Sequence, residues 1–233
     1  MNPNTPRQPT TDDPTRVAGD TTTTPTRVAT SLWRLAVRDG DTATTPDDTR
    51  FVSRLTRRLV LTHTRHGDAI IDLDGDTALR DAATTTTRTY VALTRPPKIA
   101  TIDRLIRPAT LTILRWPRPG RAATPAEVAD LLLACQFITA NASSSLAVIS
   151  PIEAQDTSTT HNPQLGELLD AAAKARFRHE QRILALPSDG DSDSYSYFPN
   201  YADADAALKT RRDTNRLGTR VDVLRLVTSD ASR

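Results

Sequence analysis

The chain is poor in several residue types that define whole classes of protein. Cys135 is the single cysteine among 233 residues, which excludes an internal disulfide and a cysteine-rich metal site. The four histidines, His63, His66, His161 and His179, are scattered without the spacing of metal ligands, so we predict no metal site. Aromatic residues make up only 4% of the sequence, so the core has to be built mainly from Leu, Val, Ile and Ala.

Long apolar runs and a strong excess of charge are also absent. No apolar run approaches the ~20 residues needed to span a bilayer, and the first ten residues lack the apolar segment of a secretory signal. We therefore predict a cytoplasmic protein that does not bind membranes. The 30 Lys and Arg residues against 28 Asp and Glu residues leave a net charge of +2, which is too near neutral to require nucleic acid as a partner.

Composition divides the chain into three segments. Residues 1–29 consist largely of Thr, Pro, Asp and Arg, a composition that cannot bury enough apolar surface to offset chain entropy, so we predict a disordered tail. Residues 30–48 contain a short apolar stretch around Trp33, predicted to dock onto the domain, and then a polar linker. Residues 49–230 are predicted to form one α/β domain.

Within this domain, strand-like and helix-like segments alternate. Phe51, Leu55 and Leu59 recur at helical spacing, and Thr124-Pro125-Ala126-Glu127 has the residues of a helix start with a capping box. The predicted strands are 69–73, 89–94, 111–116, 145–149, 179–186 and 221–227, and the predicted helices are 49–63, 77–86, 124–140, 162–176 and 203–212. Such alternation favours a doubly wound, mostly parallel, Rossmann-like sheet flanked by helices.

The stretch His66–Asp76 has the pattern of a ligand crevice. A short apolar strand ends at Asp72, a tight loop contains Gly75, and a helix starts near Thr77. In open α/β sheets, ligands bind outside the carboxyl ends of the strands, beside loops of this kind.

The sequence around this stretch resembles class I S-adenosylmethionine-dependent methyltransferases. The resemblance rests on Thr64–Asp72, on the paired alanines Ala82-Ala83 and on Arg88–Leu93, and it covers residues 49–120 in spacing. The residues are most similar to the actinobacterial DNA amino-methyltransferases and the related RNA guanine-methylase-like proteins. The segment Val221–Val227 looks like the closing strand of that family.

The resemblance implies a set of site residues. S-adenosyl-L-methionine would lie against the loop after the first strand and the end of the second, and the catalytic motif would follow the third strand. The implied cofactor-binding residues are Asp72, Gly75, Asp76, Thr77 and Thr94, and the implied catalytic residues are Trp116, Pro117, Arg118 and Pro119.

This sequence departs from the family pattern at each of these places. The loop holds one glycine and two added carboxylates, Asp74 and Asp76, which would repel the carboxylate of the cofactor. Thr94 stands where the family has an acidic residue, and Trp116 leads the catalytic motif where a small polar acceptor is expected. The changes predict a degenerate site, with S-adenosyl-L-methionine bound weakly or no cofactor bound at all.

A second family offers a different interpretation of the same strand. Ile70–Gly75 is similar to the first motif of haloacid-dehalogenase-type phosphatases, in which Asp72 would be the nucleophile and Asp74 the acid. Against this, Asp76 separates Gly75 from Thr77, whereas in that family the threonine directly follows the glycine.

Basic residues are concentrated between Arg88 and Arg121. Arg115, Arg118 and Arg121 flank the implied catalytic loop and could contact nucleic-acid phosphates, while Trp116 could stack on a base. The competing interpretation is a solvated surface rich in arginine through coding bias. The predicted partner is therefore DNA or RNA, or else another protein.

Overall fold

The computed structural model describes residues 28–36, 47–93, 109–118, 124–138, 144–152, 163–188, 190–210 and 220–229. The predicted tail lies almost entirely outside the described residues, as do Thr94, Pro119 and Arg121. No helix in the described residues is both long and apolar enough to cross a membrane.

The described residues form a mixed α/β structure. Its strands are β1 (Ala29–Ala36), β2 (Ala69–Asp72), β3 (Thr89–Ala92), β4 (Leu111–Arg115), β5 (Ser145–Ile152), β6 (Phe177–Ser188), β7 (Ser194–Phe198) and β8 (Arg220–Thr228). Its helices are α1 (Asp47–His63), α2 (Thr77–Thr85), α3 (Pro125–Ile138), α4 (Pro163–Lys174) and α5 (Tyr201–Thr210).

The strands form one sheet in the order β3-β2-β4-β5-β8-β6-β1-β7. The strands β3, β2, β4 and β5 are parallel to one another, and β1 is parallel to β6. The last strand, β8, is inserted antiparallel between β5 and β6, and β7 pairs antiparallel with β1 at the edge. Six of the eight strands in the described residues therefore run in one direction, as the predicted mostly parallel sheet requires, and β7 and β8 run the other way.

The segment predicted to dock from outside the domain is an internal strand. Residues 29–36 form β1, which lies between β6 and β7 and is buried along most of its length. Trp33 is buried, as predicted, but it is part of the sheet rather than an anchor placed upon it. The sheet thus includes residues that precede 49, the predicted start of the domain. The strand β7, beside β1, was not predicted from the sequence.

Helices cover both faces of the sheet because successive strand residues point to opposite sides. Ile70 packs in a core with Phe51, Leu55 and Leu79 of α1 and α2. Ile71 packs on the other face, in the core that α3 and α4 cover. The helix α5 packs near β1 and β6 through a smaller apolar cluster, which contains Leu32, Leu184 and Ala204.

A local sequence signal places the start of α3 close to where it was predicted. The backbone N–H of Thr124 donates to the Glu127 carboxylate at 2.9 Å, and the Glu127 N–H donates to the Thr124 hydroxyl at 3.3 Å. This is the reciprocal capping box that the sequence indicated for α3.

Candidate functional site

The candidate site lies where the strand order reverses. From β2 the chain continues through α2 to β3 on one side, and then to β4 on the other side of β2. The carboxyl ends of β2 and β4 therefore meet at the switch point where open α/β sheets bind their ligands. The residues at these ends are 72–76 and 115–118.

Asp72 is fully buried at the end of β2 and makes four hydrogen bonds. Its Oδ1 accepts from the backbone N–H groups of Asp74 and Gly75 at 2.9 and 3.1 Å. Its Oδ2 accepts from the N–H of Asp76 and from the Tyr90 hydroxyl, both at 2.6 Å. A carboxylate offers about four lone-pair positions, so this side chain has no acceptor position left for a ligand.

Tyr90 was not predicted as part of the site. It lies on β3, the strand beside β2, and donates its hydroxyl proton to Asp72. Burial, and then this hydrogen bond, raise the pKa of Tyr90 to about 12. The sequence shows only that Tyr90 lies on one predicted strand and Asp72 at the end of the strand before it. Their contact can be predicted only when the pairing of these two strands is known.

The loop after β2 folds back over the end of its own strand. Gly75 adopts a φ of +73°, a left-handed conformation that glycine accepts readily. Asp76 caps α2, since its Oδ1 accepts the Ala78 N–H at 2.9 Å. Because the loop folds back in this way, the backbone N–H groups of Asp74, Gly75 and Asp76 point at Asp72 and not at the crevice.

Arg115 and Arg118, at the end of β4, contact the loop after β2 on the side away from Asp72. Arg115 forms an ion pair with Asp76. Its backbone N–H donates to Asp74 at 2.6 Å. Arg118 lies 3.3 Å from the Asp74 carboxylate, and its Nη2 donates to the Leu73 carbonyl oxygen at 2.6 Å. The two carboxylates that were predicted to repel a cofactor are thus neutralised within the chain.

The surroundings of the Asp74 carboxyl disfavour its ionised form. Burial raises its pKa above the ordinary value, and the Arg115 N–H and the Arg118 guanidinium offset this effect only in part. Its ion pair with Arg118 therefore holds the loop in place without being strongly favourable by itself.

Trp116 occupies a different place from the one predicted. Its side chain is 5% exposed and packs in the core beneath α3 and α4, so it presents no face for a base. Its backbone N–H donates to the Ile149 carbonyl oxygen at 2.8 Å. The ring therefore fills the core in this conformation, and the stacking role of Trp116 stays a prediction.

The phosphate-binding role predicted for Arg115 and Arg118 is likewise not supported by their contacts. Both guanidinium groups are directed at carboxylates of the loop after β2. Among the other predicted residues, Pro117 and Thr77 are exposed at the mouth of the crevice. Their predicted roles, like those of the undescribed Thr94, Pro119 and Arg121, stay predictions.

The described residues do not fit S-adenosyl-L-methionine as they stand. An anionic group at the start of a helix, such as the carboxylate of this cofactor, is held by backbone N–H groups that face it, and those of Asp74, Gly75 and Asp76 donate to Asp72 instead.

Two surface cavities in the described residues lie away from this crevice. A cavity of about 470 Å³ is lined by the end of α1 and the turn before β2, including His63, Arg65 and Asp68. A second, of about 270 Å³, lies between α4 and the start of β6, beside Phe177 and Leu226. Neither is lined by residues 72–76.

Comparison with known proteins assigns no family to the chain. No protein-family model matches, and no curated protein matches. Among solved structures, YbdL of Escherichia coli, described as having a methionine aminotransferase function, is similar with 14% identity and a TM-score of 0.36, covering 76% of this chain and 40% of that one. LepI in complex with SAM is 10% identical, with a TM-score of 0.38 and coverage of 77% and 41%.

A tRNA (uracil-54, C5)-methyltransferase of Pyrococcus abyssi, in complex with S-adenosyl-L-homocysteine, is 10% identical with a TM-score of 0.36 and coverage of 76% and 38%. This chain therefore spans about two fifths of the length of each of these three structures. At this identity and these TM-scores, the three structures assign no activity to the chain.

Proposed function

We propose that the chain is a methyltransferase-like binding module of the DNA/RNA amino-methyltransferase type, and that it does not methylate. The observation that carries the proposal is the saturated carboxylate of Asp72. At the switch point of the sheet, Asp72 accepts hydrogen bonds from the loop N–H groups that a cofactor would need.

The topology supports the same ancestry. The segment that resembles the closing strand of the methyltransferase family is β8, which is inserted antiparallel between β5 and β6. The strand, loop and helix that resemble the cofactor-binding part of the family are β2, residues 73–76 and α2, in that order along the chain.

The phosphatase alternative is disfavoured by the same contacts. A nucleophilic Asp72 would need an oxygen that faces the substrate, and both of its oxygens accept two hydrogen bonds each. Asp74, the implied acid, is bound to the backbone of Arg115.

The proposal is tested by calorimetric titration of the full chain with S-adenosyl-L-methionine. We expect no measurable binding, because the loop donors face inward. Micromolar or tighter binding, roughly −8 kcal/mol, would overturn the proposal.

The double variant Asp74→Asn with Asp76→Asn removes both ion pairs of the loop while an amide still caps α2. The matched control is Asp193→Asn, which removes an ion pair with Arg54 elsewhere in the fold. Binding gained in the double variant alone would assign the closure to the ion pairs.

The nucleic-acid role predicts a salt-dependent affinity that does not depend on the crevice arginines. Among the described residues, Arg57 of α1 and Arg80 of α2 are exposed on the helices that cover one face of the sheet. Replacing both by Ala is expected to flatten the slope of log affinity against log salt by up to about two phosphate contacts. Replacing Arg115 and Arg118 instead is expected to leave the slope unchanged.

Gel-shift titrations across a salt series, with single- and double-stranded DNA and RNA, separate these outcomes. If the wild type binds none of them at low salt, the nucleic-acid role is wrong, and a protein becomes the partner to seek.

A further inference from the structure

The strand β7 ends the sheet opposite β3. It pairs antiparallel with β1 from Thr30↔Phe198 to Arg34↔Ser194 in a regular register. Its other edge meets no further strand among the described residues. An edge of this kind exposes a row of backbone N–H and C=O groups that can pair with another strand.

Three of the features that protect edge strands are missing from β7. Its sequence, Ser-Tyr-Ser-Tyr-Phe, contains no charged residue and no proline, and its pairing with β1 shows no bulge. Natural sheets generally use such features to prevent pairing between edges. The absence of all three within one strand points to an edge that is used.

The sequence of β7 is also self-complementary. An antiparallel pair of two β7 strands centred on Ser196 places Ser196 opposite Ser196 and Tyr195 opposite Tyr197. Both tyrosines lie on the same side of the strand, and opposite side chains in such a pair have Cβ atoms about 4.5–5.5 Å apart. Two copies would therefore form two tyrosine pairs, with no like charges opposed.

The two tyrosines differ in a way that fits this arrangement. Tyr195 is held within its own chain, edge-on to Trp33 with ring centroids 5.6 Å apart, under the Arg58 guanidinium at 4.6 Å, and bonded to Asp193 at 3.1 Å. Tyr197 is 77% exposed. One tyrosine is thus ordered in advance to receive the exposed tyrosine of a second copy.

We propose that β7 is a dimerisation edge, at which β7 pairs antiparallel with β7 of a second copy about a two-fold axis at Ser196. The two sheets then form one continuous sheet. A five-residue strand makes a small interface, so the dimer belongs to the weak, concentration-dependent class.

Sedimentation velocity of the full chain over a dilution series tests the proposal. We expect a reversible monomer–dimer equilibrium. Ser196→Lys and Ser196→Glu each oppose two like charges on the axis, so each variant alone should be monomeric. An equimolar mixture of the two should form a heterodimer, since opposite charges then face each other.

Matched variants separate the edge from general effects on the fold. Thr89→Lys places the same charge on β3, at the other end of the sheet, and should dimerise like the wild type. Tyr197→Ser keeps the backbone pairing but removes both tyrosine pairs, and should weaken the dimer by about 2- to 30-fold. Circular dichroism checks that each variant is folded.

Three results would overturn the proposal. The first is a wild type that stays monomeric up to about 1 mM protein. The second is a folded Ser196→Lys variant that dimerises like the wild type. The third is a mixture of the Lys and Glu variants that gives no heterodimer.

Discussion

Two clusters of aspartates and arginines are built alike but lie at different places in the sheet. The crevice cluster consists of Asp72, Asp74, Asp76, Tyr90, Arg115 and Arg118 at the ends of β2 and β4. The sheet cluster consists of Arg182, Tyr201, Asp205, Arg220 and Asp222, between β6, β8 and α5.

The sheet cluster has the contacts of a purely structural site. The Arg182 Nε lies 2.8 and 2.9 Å from the two oxygens of Asp222, and its guanidinium carbon lies 3.8 Å from the Tyr201 ring centroid. Nothing about its position suggests a ligand. The carboxylates of the crevice cluster likewise pair with groups of the same chain, so the density of charged residues there is explained by the loop that they hold.

The largest expected effect is the loss of the buried ion pair in the sheet cluster. Asp222→Ala leaves the Arg182 guanidinium buried without its carboxylate, so we expect a loss of about 3–5 kcal/mol in the free energy of unfolding. Urea unfolding measures it. Glu180→Ala, which removes a partly exposed partner of Arg225, should cost less than about 1 kcal/mol. Equal losses in both variants would contradict the distinction. The double variant Arg182→Met with Asp222→Leu should cost less than Asp222→Ala alone.

A smaller loss is expected in the crevice cluster. Asp72→Asn keeps one acceptor oxygen but turns amide donors towards loop N–H groups, which should cost about 2–3 kcal/mol. Tyr90→Phe removes the single hydroxyl bond to Asp72 and should cost about 1.5 kcal/mol. Tyr197→Phe, at an exposed tyrosine, is the control for urea unfolding and should be neutral. A neutral Asp72→Asn would mean that Asp72 does not hold the loop.

The smallest expected effect is a pH dependence in the crevice cluster. Because burial raises the pKa of Asp74 in the folded state, this group binds protons more readily when folded than when unfolded. Its ionised form thus costs stability at neutral pH, and the cost is relieved as pH falls through the raised folded pKa towards the unfolded value of 3.8. Asp74→Asn should therefore change the free energy of unfolding at pH 7 by less than about 1 kcal/mol.

The measurement for this variant is urea unfolding between pH 7 and pH 4. The wild type should gain stability relative to Asp74→Asn as pH falls. The opposite trend would show that the ion pair with Arg118 is strongly favourable and that the pKa of Asp74 is lowered.

Predictions from the sequence were most accurate where the signal was local. The strand ending at Asp72, the helix stripe of Phe51, Leu55 and Leu59, and the capping box at Thr124 all depend on residues within about two helical turns. The strand β7 was missed because its serines and tyrosines carry neither a strong apolar alternation nor a turn signal at its start.

The site itself was predicted only in outline. The sequence indicated a crevice at Asp72 and two carboxylates nearby, and both lie there. It assigned Arg115 and Trp116 to a nucleic acid, although one pairs with Asp76 and the other fills the core. An arginine has the same signature in a sequence whether it faces phosphate or a carboxylate of its own chain.

By itself the sequence determined the periodic elements and the loop that follows β2, because hydrogen bonding and side-chain spacing within a short stretch are enough to specify them. Only the tertiary structure decided that β1 lies inside the sheet, that Tyr90 completes the bonds of Asp72 and that Arg115 and Arg118 hold the loop. Those contacts join residues that become neighbours when β2 pairs with β3 and β4, and the pairing of strands depends on burying both faces of the sheet at once.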